Sequence, residues 1–567
     1  MFMLTTLTPL HQLFQDHWDA WMRYDPFTAT YVGDQRFNDR LPTATDEAIH
    51  AWREQLIGFR TRLERLNQLA LPADDRLNYE LFRHLVENEI NELGFNAHRM
   101  PISRTAGFHL SFPDIFQVMP FEKQQDYANY IARLEAFKHY ALENIELMRL
   151  GLRTGFIPPV CTLTDLDKQL KAQMVADPVE SALYHPFMYF PAQISEPDRK
   201  RLSEAAQKAI LRSVVPGYQA ILQFVEQEYL PAARQSIASA DLPDGEAFYA
   251  HRIYYNTSLH LSAQQVHQIG LDEVRRIRAE MEAVIQKTGW KGNMPDFLEF
   301  LRTDPRFYVS TPEALLEKTS YVLKRMDGEL PRLFKTLPRM PYGIRPVPDY
   351  AAEGETAAYY SPGLGDGTRA GVYYVNTYDL ASRPLYEIEA LSLHEAVPGH
   401  HLQLALQAEL AGMPMFRRYF GYNSYVEGWA LYSERLGLEV GFYTDPYSDF
   451  GRLSYEMWRA CRLVVDTGMH ALGWSRQKAI DHLVENTSST LLNIINEIDR
   501  YIAWPGQALA YKIGELKIRE LRQRAEQKLD SKFNVREFHD VLLLSGAVPL
   551  DMLEGMVAKW IIDTVQS

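Results

Sequence analysis

The sequence predicts a large, mostly α-helical protein with a small β region directly ahead of a helix that carries metal-ligand residues. Three observations lead there. Apolar residues recur at three- and four-residue spacing along most of the chain, proline and glycine break that rhythm between Leu337 and Thr377, and one β-branched and aromatic run lies inside the break. At 567 residues, 46% of them hydrophobic and 23% charged, the chain can bury a sizeable core.

Helical patterns fill the first half, as in Glu143–Leu152 and Leu202–Tyr229, with Pro, Gly or Ser between them. Ser262-Ala-Gln-Gln265 reads as a capping box. Val274, Ile277, Met281 and Val284 then mark one helical face, and the helix should run to about Lys287 and stop at Gly289. Pro338, Pro341, Pro346, Pro348 and Pro362 exclude long helices from the next stretch. There Ala370–Thr377 reads as a strand, with a turn at Gly363–Gly367 before it. Helical periodicity resumes near Pro384. The organisation is read as a helical scaffold half, 1–335, and a catalytic half, 336–567, within one integrated unit.

Charge and composition exclude several functions. A net charge of −14, from 73 acidic and 59 basic residues, argues against nucleic acid, which calls for a concentrated basic face. Cys161 and Cys461 are too few for a disulfide framework and suit a reducing compartment. Met1–Gln15 lacks the charged start and apolar core of a signal peptide, and no run of about 18 apolar residues suggests a membrane span. The expectation is a cytoplasmic protein with no membrane partner.

The segment Tyr386–Gln403 contains His394, Glu395, Pro398, Gly399, His400 and His401. In a common zinc peptidase motif two His lie four residues apart on a helix, with a Glu general base between them. Here His400 and His401 are six and seven residues beyond His394, rises of roughly 9 and 10.5 Å in an unbroken helix and too far to share one ion. Pro398-Gly399 should break the helix. With two residues looped out, His400 returns to the face of His394 and is the preferred ligand, leaving His401 beside the site or on the substrate. A third ligand, Glu427, comes from the run Tyr425–Glu434, where Glu427, Leu431 and Glu434 share a face and Gly428 admits a neighbouring backbone. Two His and one carboxylate leave an open coordination position, the catalytic arrangement of a single Zn²⁺. Glu395 is the expected base.

Farther on, Arg459, Arg462, Asp466 and His470 fall on one helical stripe. It reads either as a paired, solvated face or as a carboxylate clamp formed by Arg459 and Arg462, with His470 as an oxyanion donor.

The run Glu387–Gln403, together with Tyr425–Glu434, resembles a bacterial domain-of-unknown-function family marked by His-Glu-Ala-x-Pro-Gly-His-His-x-Gln and placed by similarity among the gluzincin peptidases. The likeness extends from Asp25–Gly33 to Gly506–Gly514. More distantly, the order His-Glu, Gly-His, Glu and Arg-Tyr is similar to helical carboxypeptidases of the angiotensin-converting type, from which this sequence departs by two extra residues. The resemblance implies a helical peptidase fold with a deep cleft, short peptides as substrates, and carboxypeptidase or oligopeptidase action. It also implies that Tyr501, beside Arg500, stabilises the oxyanion, with Tyr511 next in line. The strand Val372–Asn376, including Tyr374, takes the place of an edge strand that pairs with extended peptide. Two alternatives stand beside this reading: a zinc amidohydrolase acting on a non-peptide amide or amino-acid conjugate, and an inactive helical binding protein, in which Glu395 would have no use.

Overall fold

Thr8 and Thr45 accept backbone N–H protons at the heads of α1 (Pro9–Tyr24) and α2 (Asp46–Glu64), satisfying donors that a helix leaves unpaired. These helices and α3 (Ala73–Gly94) bury Phe14, Trp18, Trp52 and Phe82 in an aromatic core. The computed structural model describes residues 7–353 and 355–566. The reading of Met1–Gln15 rests partly on residues 1–6, which lie outside the described residues. Helix accounts for 71% of the structure, the mostly-α class expected.

The chain packs as two units. The first holds the described residues up to 236, with 241–244 and 414–416. Beyond α1–α3 its centre is α4 (Gln124–Thr154), crossed by α5 (Val215–Phe224). A Cβ on Gly217 would come within 2.8 Å of the Phe137 ring, so glycine permits that crossing. The run Leu202–Tyr229 is helical as expected, with π-turns at Ile210–Val214 and Val225–Tyr229.

The second unit takes most of 245–567. The packing division therefore falls near 237–245, about a hundred residues before the change in sequence character, and 245–335 pack in the same unit as His394, His400 and Glu427. The capping box at Ser262 forms, with Ser262 N–H donating to Gln265 Oε1 at 2.8 Å and Gln265 N–H to Ser262 Oγ at 3.2 Å. The helix it starts, α6 (Ala263–Thr288), buries the predicted face and ends at Gly289 with φ 77°.

Three short strands follow: β1 (Tyr342–Pro346), β2 (Ala358–Ser361) and β3 (Gly371–Val375). Their order is β1-β3-β2, parallel for β1 with β3 and antiparallel for β2 with β3. The expectation of an edge strand at Val372–Asn376 is thus corrected: β3 is central and its backbone is paired on both sides. Helices α7 (Ile388–Glu395), α8 (His400–Glu409), α9 (Asn423–Leu436), α10 (Pro446–Ala471), α11 (Leu491–Ala503) and α12 (Ala510–Leu529) complete the frame.

Candidate metal centre

Pro398 has no N–H for the helix ladder, and the chain leaves α7 at Glu395 to restart as α8 at His400. The bridging bonds measure the defect. Gly399 N–H donates to Leu393 O, six residues back, at 2.9 Å, and His401 N–H to Ala396 O, five back, at 3.0 Å, where a regular helix bonds four back. A Cβ on Gly399 would lie 1.9 Å from His394 O, so the turn closes only with glycine. From α9, Trp429 Nε1 donates to Pro398 O at 2.9 Å and pins the loop. His400 returns to the face of His394, ring centroids 4.8 Å apart and nearly perpendicular.

A pair of glycines brings the next helices together. A Cβ on Gly428 of α9 would meet Gly514 Cα of α12 at 2.5 Å, and one on Gly514 would meet Ser424 O at 1.9 Å. Contact this close lets α9 present Glu427 and α12 present Tyr511 to the same place. His394, His400 and Glu427 each offer an atom within 4.8 Å of the others'.

Glu427 Oε2 lies 3.6 Å from His394 Nε2 and 3.4 Å from His400 Nε2. Both separations exceed a normal hydrogen bond, and this oxygen is buried without a hydrogen-bond partner among the described residues. Ligand atoms about 2.0–2.2 Å from a tetrahedral Zn²⁺ stand roughly 3.3–3.6 Å apart, so the donor set and both Glu427 separations fit the ion. The far nitrogen of His394, Nδ1, bonds Glu434 Oε1 at 2.8 Å, the carboxylate–histidine arrangement that orients a metal-binding imidazole. Burial opposes charge on His394, but Glu427 and Glu434 outweigh it and raise its pKa to about 9. Burial likewise opposes ionisation of Glu427, yet the two histidines hold it well below the carboxylate range. A field that favours a proton there favours a cation.

Glu395 is buried beside the triad, and among the described residues its carboxylate has no hydrogen-bond or ion-pair partner. Burial raises its pKa despite the nearby histidines. Tyr373, on the buried face of β3, sits close enough for the Glu395 charge to add to burial in raising the phenol. Tyr374 belongs to the opposite face, stacked on Tyr359 at 4.9 Å, so its expected substrate contact is replaced by a cross-strand pair.

The remaining predicted residues divide. Arg459 Nη2 stands 3.5 Å from Glu434 Oε1, one step behind His394. Arg462 donates through Nε to Tyr501 Oη at 2.7 Å and through Nη2 to Glu497 at 3.1 Å. Arg500 pairs with Glu497 at 3.3 Å and reaches Tyr511 Oη at 3.4 Å. The Tyr511 ring lies parallel to His394, centroids 6.4 Å apart. Two expectations are corrected by commitments already made. His470 accepts Ser239 N–H at Nδ1 and donates from Nε2 to Tyr501 O, 3.1 and 3.0 Å, leaving no ring proton for an oxyanion. His401 bonds Tyr360 Oη at 2.8 Å and Met340 O at 3.1 Å, so it fastens α8 to the strand region instead of contacting substrate. Tyr501 Oη accepts from both Arg462 and Trp458 Nε1, the latter at 2.9 Å. Glu434 was visible in the sequence as a face-mate of Glu427, but no role followed from that. Nothing in the sequence pointed to Tyr373 over Tyr374 except strand alternation.

A family model described as "Bacterial protein of unknown function (DUF885)" matches residues 26–557. The chain belongs to this DUF885 family. No curated protein matches it in sequence. Among solved structures, the "putative lipoprotein from Colwellia psychrerythraea" superposes with TM-score 0.93 at 30% identity, covering 98% of this chain and 99% of its own. A "putative lipoprotein of unknown function from Shewanella oneidensis" shares the fold at TM-score 0.70 and 17% identity, over 98% and 100%. A "putative oligoendopeptidase F from Bacillus anthracis" reaches TM-score 0.35 and 11% identity over 90% and 95%, too distant to bear on activity. The cytoplasmic expectation is corrected here: the Colwellia protein, 30% identical over nearly the whole chain, is described as a putative lipoprotein, a class anchored at membranes, and so is the Shewanella one. Among the described residues no helix is long and apolar enough to cross a membrane.

Proposed function

We propose that this DUF885 protein is a metal-dependent hydrolase of amide bonds, a peptidase whose zinc ion is held by His394, His400 and Glu427. One observation carries the reading: two imidazole nitrogens and a partnerless buried carboxylate oxygen converge, with the free carboxylate of Glu395 beside them. When bound, the ion supplies Lewis acidity that polarises a carbonyl and favours attack by water near neutral pH.

The chain's own residues do the rest. Glu395 takes the proton of the attacking water and returns it to the leaving amine nitrogen, which suits a carboxylate whose pKa burial has raised. Glu434 holds His394 in the tautomer that keeps Nε2 free. Tyr511, whose hydroxyl meets only long contacts of 3.4 and 3.5 Å from Arg500 and Gln507, donates to the carbonyl oxygen as charge builds there. Tyr501, with its hydroxyl already occupied, supports Arg462.

The test is metal analysis on protein reconstituted with zinc and then desalted. One ion per chain is expected, lost in His394→Ala, His400→Ala and Glu427→Ala but kept in His401→Ala. The wild type should hydrolyse a mixture of short peptides and stop on chelation. A wild type that holds no divalent metal overturns the reading.

A further inference from the structure

Arg462 is held as few arginines are. Its guanidinium lies between two rings, 4.3 Å from the Trp458 centroid and 4.2 Å from that of Tyr511. Nε is taken by Tyr501 and Nη2 by Glu497. The plane is therefore fixed, yet Nη1 is buried with no acceptor among the described residues. Arg459, three residues earlier on α10, repeats the pattern: its guanidinium lies over Tyr455 at 4.5 Å and Trp458 at 4.7 Å, and its Nε is buried without an acceptor. Both side chains are at least nine-tenths buried. A buried donor left unmade is costly, and a charged one more so.

Arg459, Arg462 and Arg500 are met in ion pairs by two carboxylates, Glu434 and Glu497, and Glu434 is shared with His394. A rigid, buried guanidinium with one nitrogen still unmet, Nη1 of Arg462, fits an incoming carboxylate oxygen. Position says which part of a substrate that is. The Tyr511 ring centroid lies 4.2 Å from the Arg462 guanidinium and 6.4 Å from the His394 ring, to which it is nearly parallel. An extended chain at about 3.3–3.6 Å per residue covers those two steps in roughly three residues or fewer.

We propose that Arg462, seconded by Arg459, receives a carboxylate of the substrate within about three residues of the scissile bond, so that the site selects carboxylate-bearing peptides over neutral ones. The inference rests on the hydrolase reading above and deepens it. A chain-terminal carboxylate lies on the leaving-amine side, which would make the enzyme trim peptide ends; an Asp or Glu side chain offers the same chemistry from within a chain.

The experiment uses penta-alanine as the free acid, the same peptide as its C-terminal amide, and an amide ending in Glu. Hydrolysis is followed on the zinc-loaded protein, and binding by calorimetry on chelator-treated protein. The free acid should be favoured over the neutral amide by about 10- to 100-fold in kcat/KM, and should bind without metal. Arg462→Met should abolish that preference, and Arg462→Lys should keep part of it. Equal use of the Glu amide supports the carboxylate receptor and assigns its source to side chains. Equal use and equal binding of the acid and neutral amide by wild type overturns the inference while leaving the hydrolase standing. Absence of hydrolysis with acid-selective binding intact does the reverse. The wild-type comparison decides even if Arg462→Met does not fold.

Discussion

Two clusters of buried charge share α10 and α12, and they resolve their charge in opposite ways. Around Lys512, fully buried, three carboxylates take its three protons: Glu456 at 2.8 Å, Glu273 at 2.9 Å and Glu515 at 2.9 Å. Arg276, Arg452 and Arg519 close the remaining valences of Glu456 and Glu515. None of these groups leaves a buried polar atom unpaired among the described residues. Next door on α12, Tyr511 faces His394, and the cluster there leaves His400 Nδ1, Glu427 Oε2, Glu434 Oε2, Arg459 Nε and Arg462 Nη1 without partners. The first cluster is complete, as a structural device must be. The second is left incomplete among the described residues. Buried charge alone does not mark a functional site; several unfinished hydrogen bonds gathered in one place are the stronger sign.

That contrast breaks most sharply at Glu395. Glu395→Gln keeps the side chain's shape and removes only the proton acceptor, so zinc content and thermal midpoint should stay at wild-type values. Peptide turnover should fall on the order of 10²–10⁴. Loss of zinc from this variant would make Glu395 a ligand; unchanged turnover would place the base elsewhere. The complementary change is Lys512→Met in the finished cluster. It takes the shared cation from Glu273, Glu456 and Glu515, leaving their arginine partners, and should cost about 3 kcal/mol of stability, read as a lower denaturant midpoint, with zinc bound per folded molecule unchanged. A Lys512 variant that lost zinc while remaining folded would join the two clusters into one.

How much of this was legible in the sequence follows from the same contrast. The helix break was readable because Pro398 and Gly399 act through backbone chemistry that any context respects, and the two-residue excess dictated how far His400 must swing. Gly428 was readable as a close approach, though not its partner Gly514, because contacts between distant segments leave no trace in local spacing. On α10, Arg452 and Glu456 lie four residues apart and Arg459 and Arg462 three, each pair about one helical turn. The first pair joins the Lys512 network, while Arg459 pairs with Glu434 and Arg462 with Glu497 beside Tyr511, a difference that helix spacing does not show. His470 failed as a donor for a related reason: sequence shows an imidazole, never whether its ring nitrogens are already committed. The centre position of β3 depended on β1 and β2 finding it from both sides, which short strands do not announce.

A smaller effect is expected at Glu434, which lies between the clusters in character. It is buried and paired through Oε1 with His394, yet its Oε2 has no partner among the described residues. Glu434→Gln keeps an acceptor for His394 but removes the negative charge behind the ring. Zinc affinity should weaken by about 10- to 100-fold, measured by competition with a chelator, while the Glu395-dependent step survives at saturating zinc. A Gln variant with unaltered affinity would reduce Glu434 to a packing residue.

Tyr501 and Tyr511 make the finest comparison, because both are buried phenols near Arg462 and differ only in what their hydroxyls already do. Tyr501 Oη is the acceptor for Arg462 Nε and Trp458 Nε1. Tyr501→Phe leaves both donors unmet, so its cost should appear in stability, on the order of 1–2 kcal/mol, and in weaker selection for carboxylate peptides as Arg462 loosens. Turnover at saturating substrate should change little. Tyr511→Phe removes a hydroxyl bound only by long contacts, so stability should stay within about 0.5 kcal/mol of wild type while kcat falls more than KM moves. Melting curves and steady-state kinetics on the two variants, run on the same zinc-loaded preparations, separate them. A Tyr501 variant that loses kcat with its stability intact would restore Tyr501 as the oxyanion donor and leave Tyr511 as the platform on which Arg462 rests.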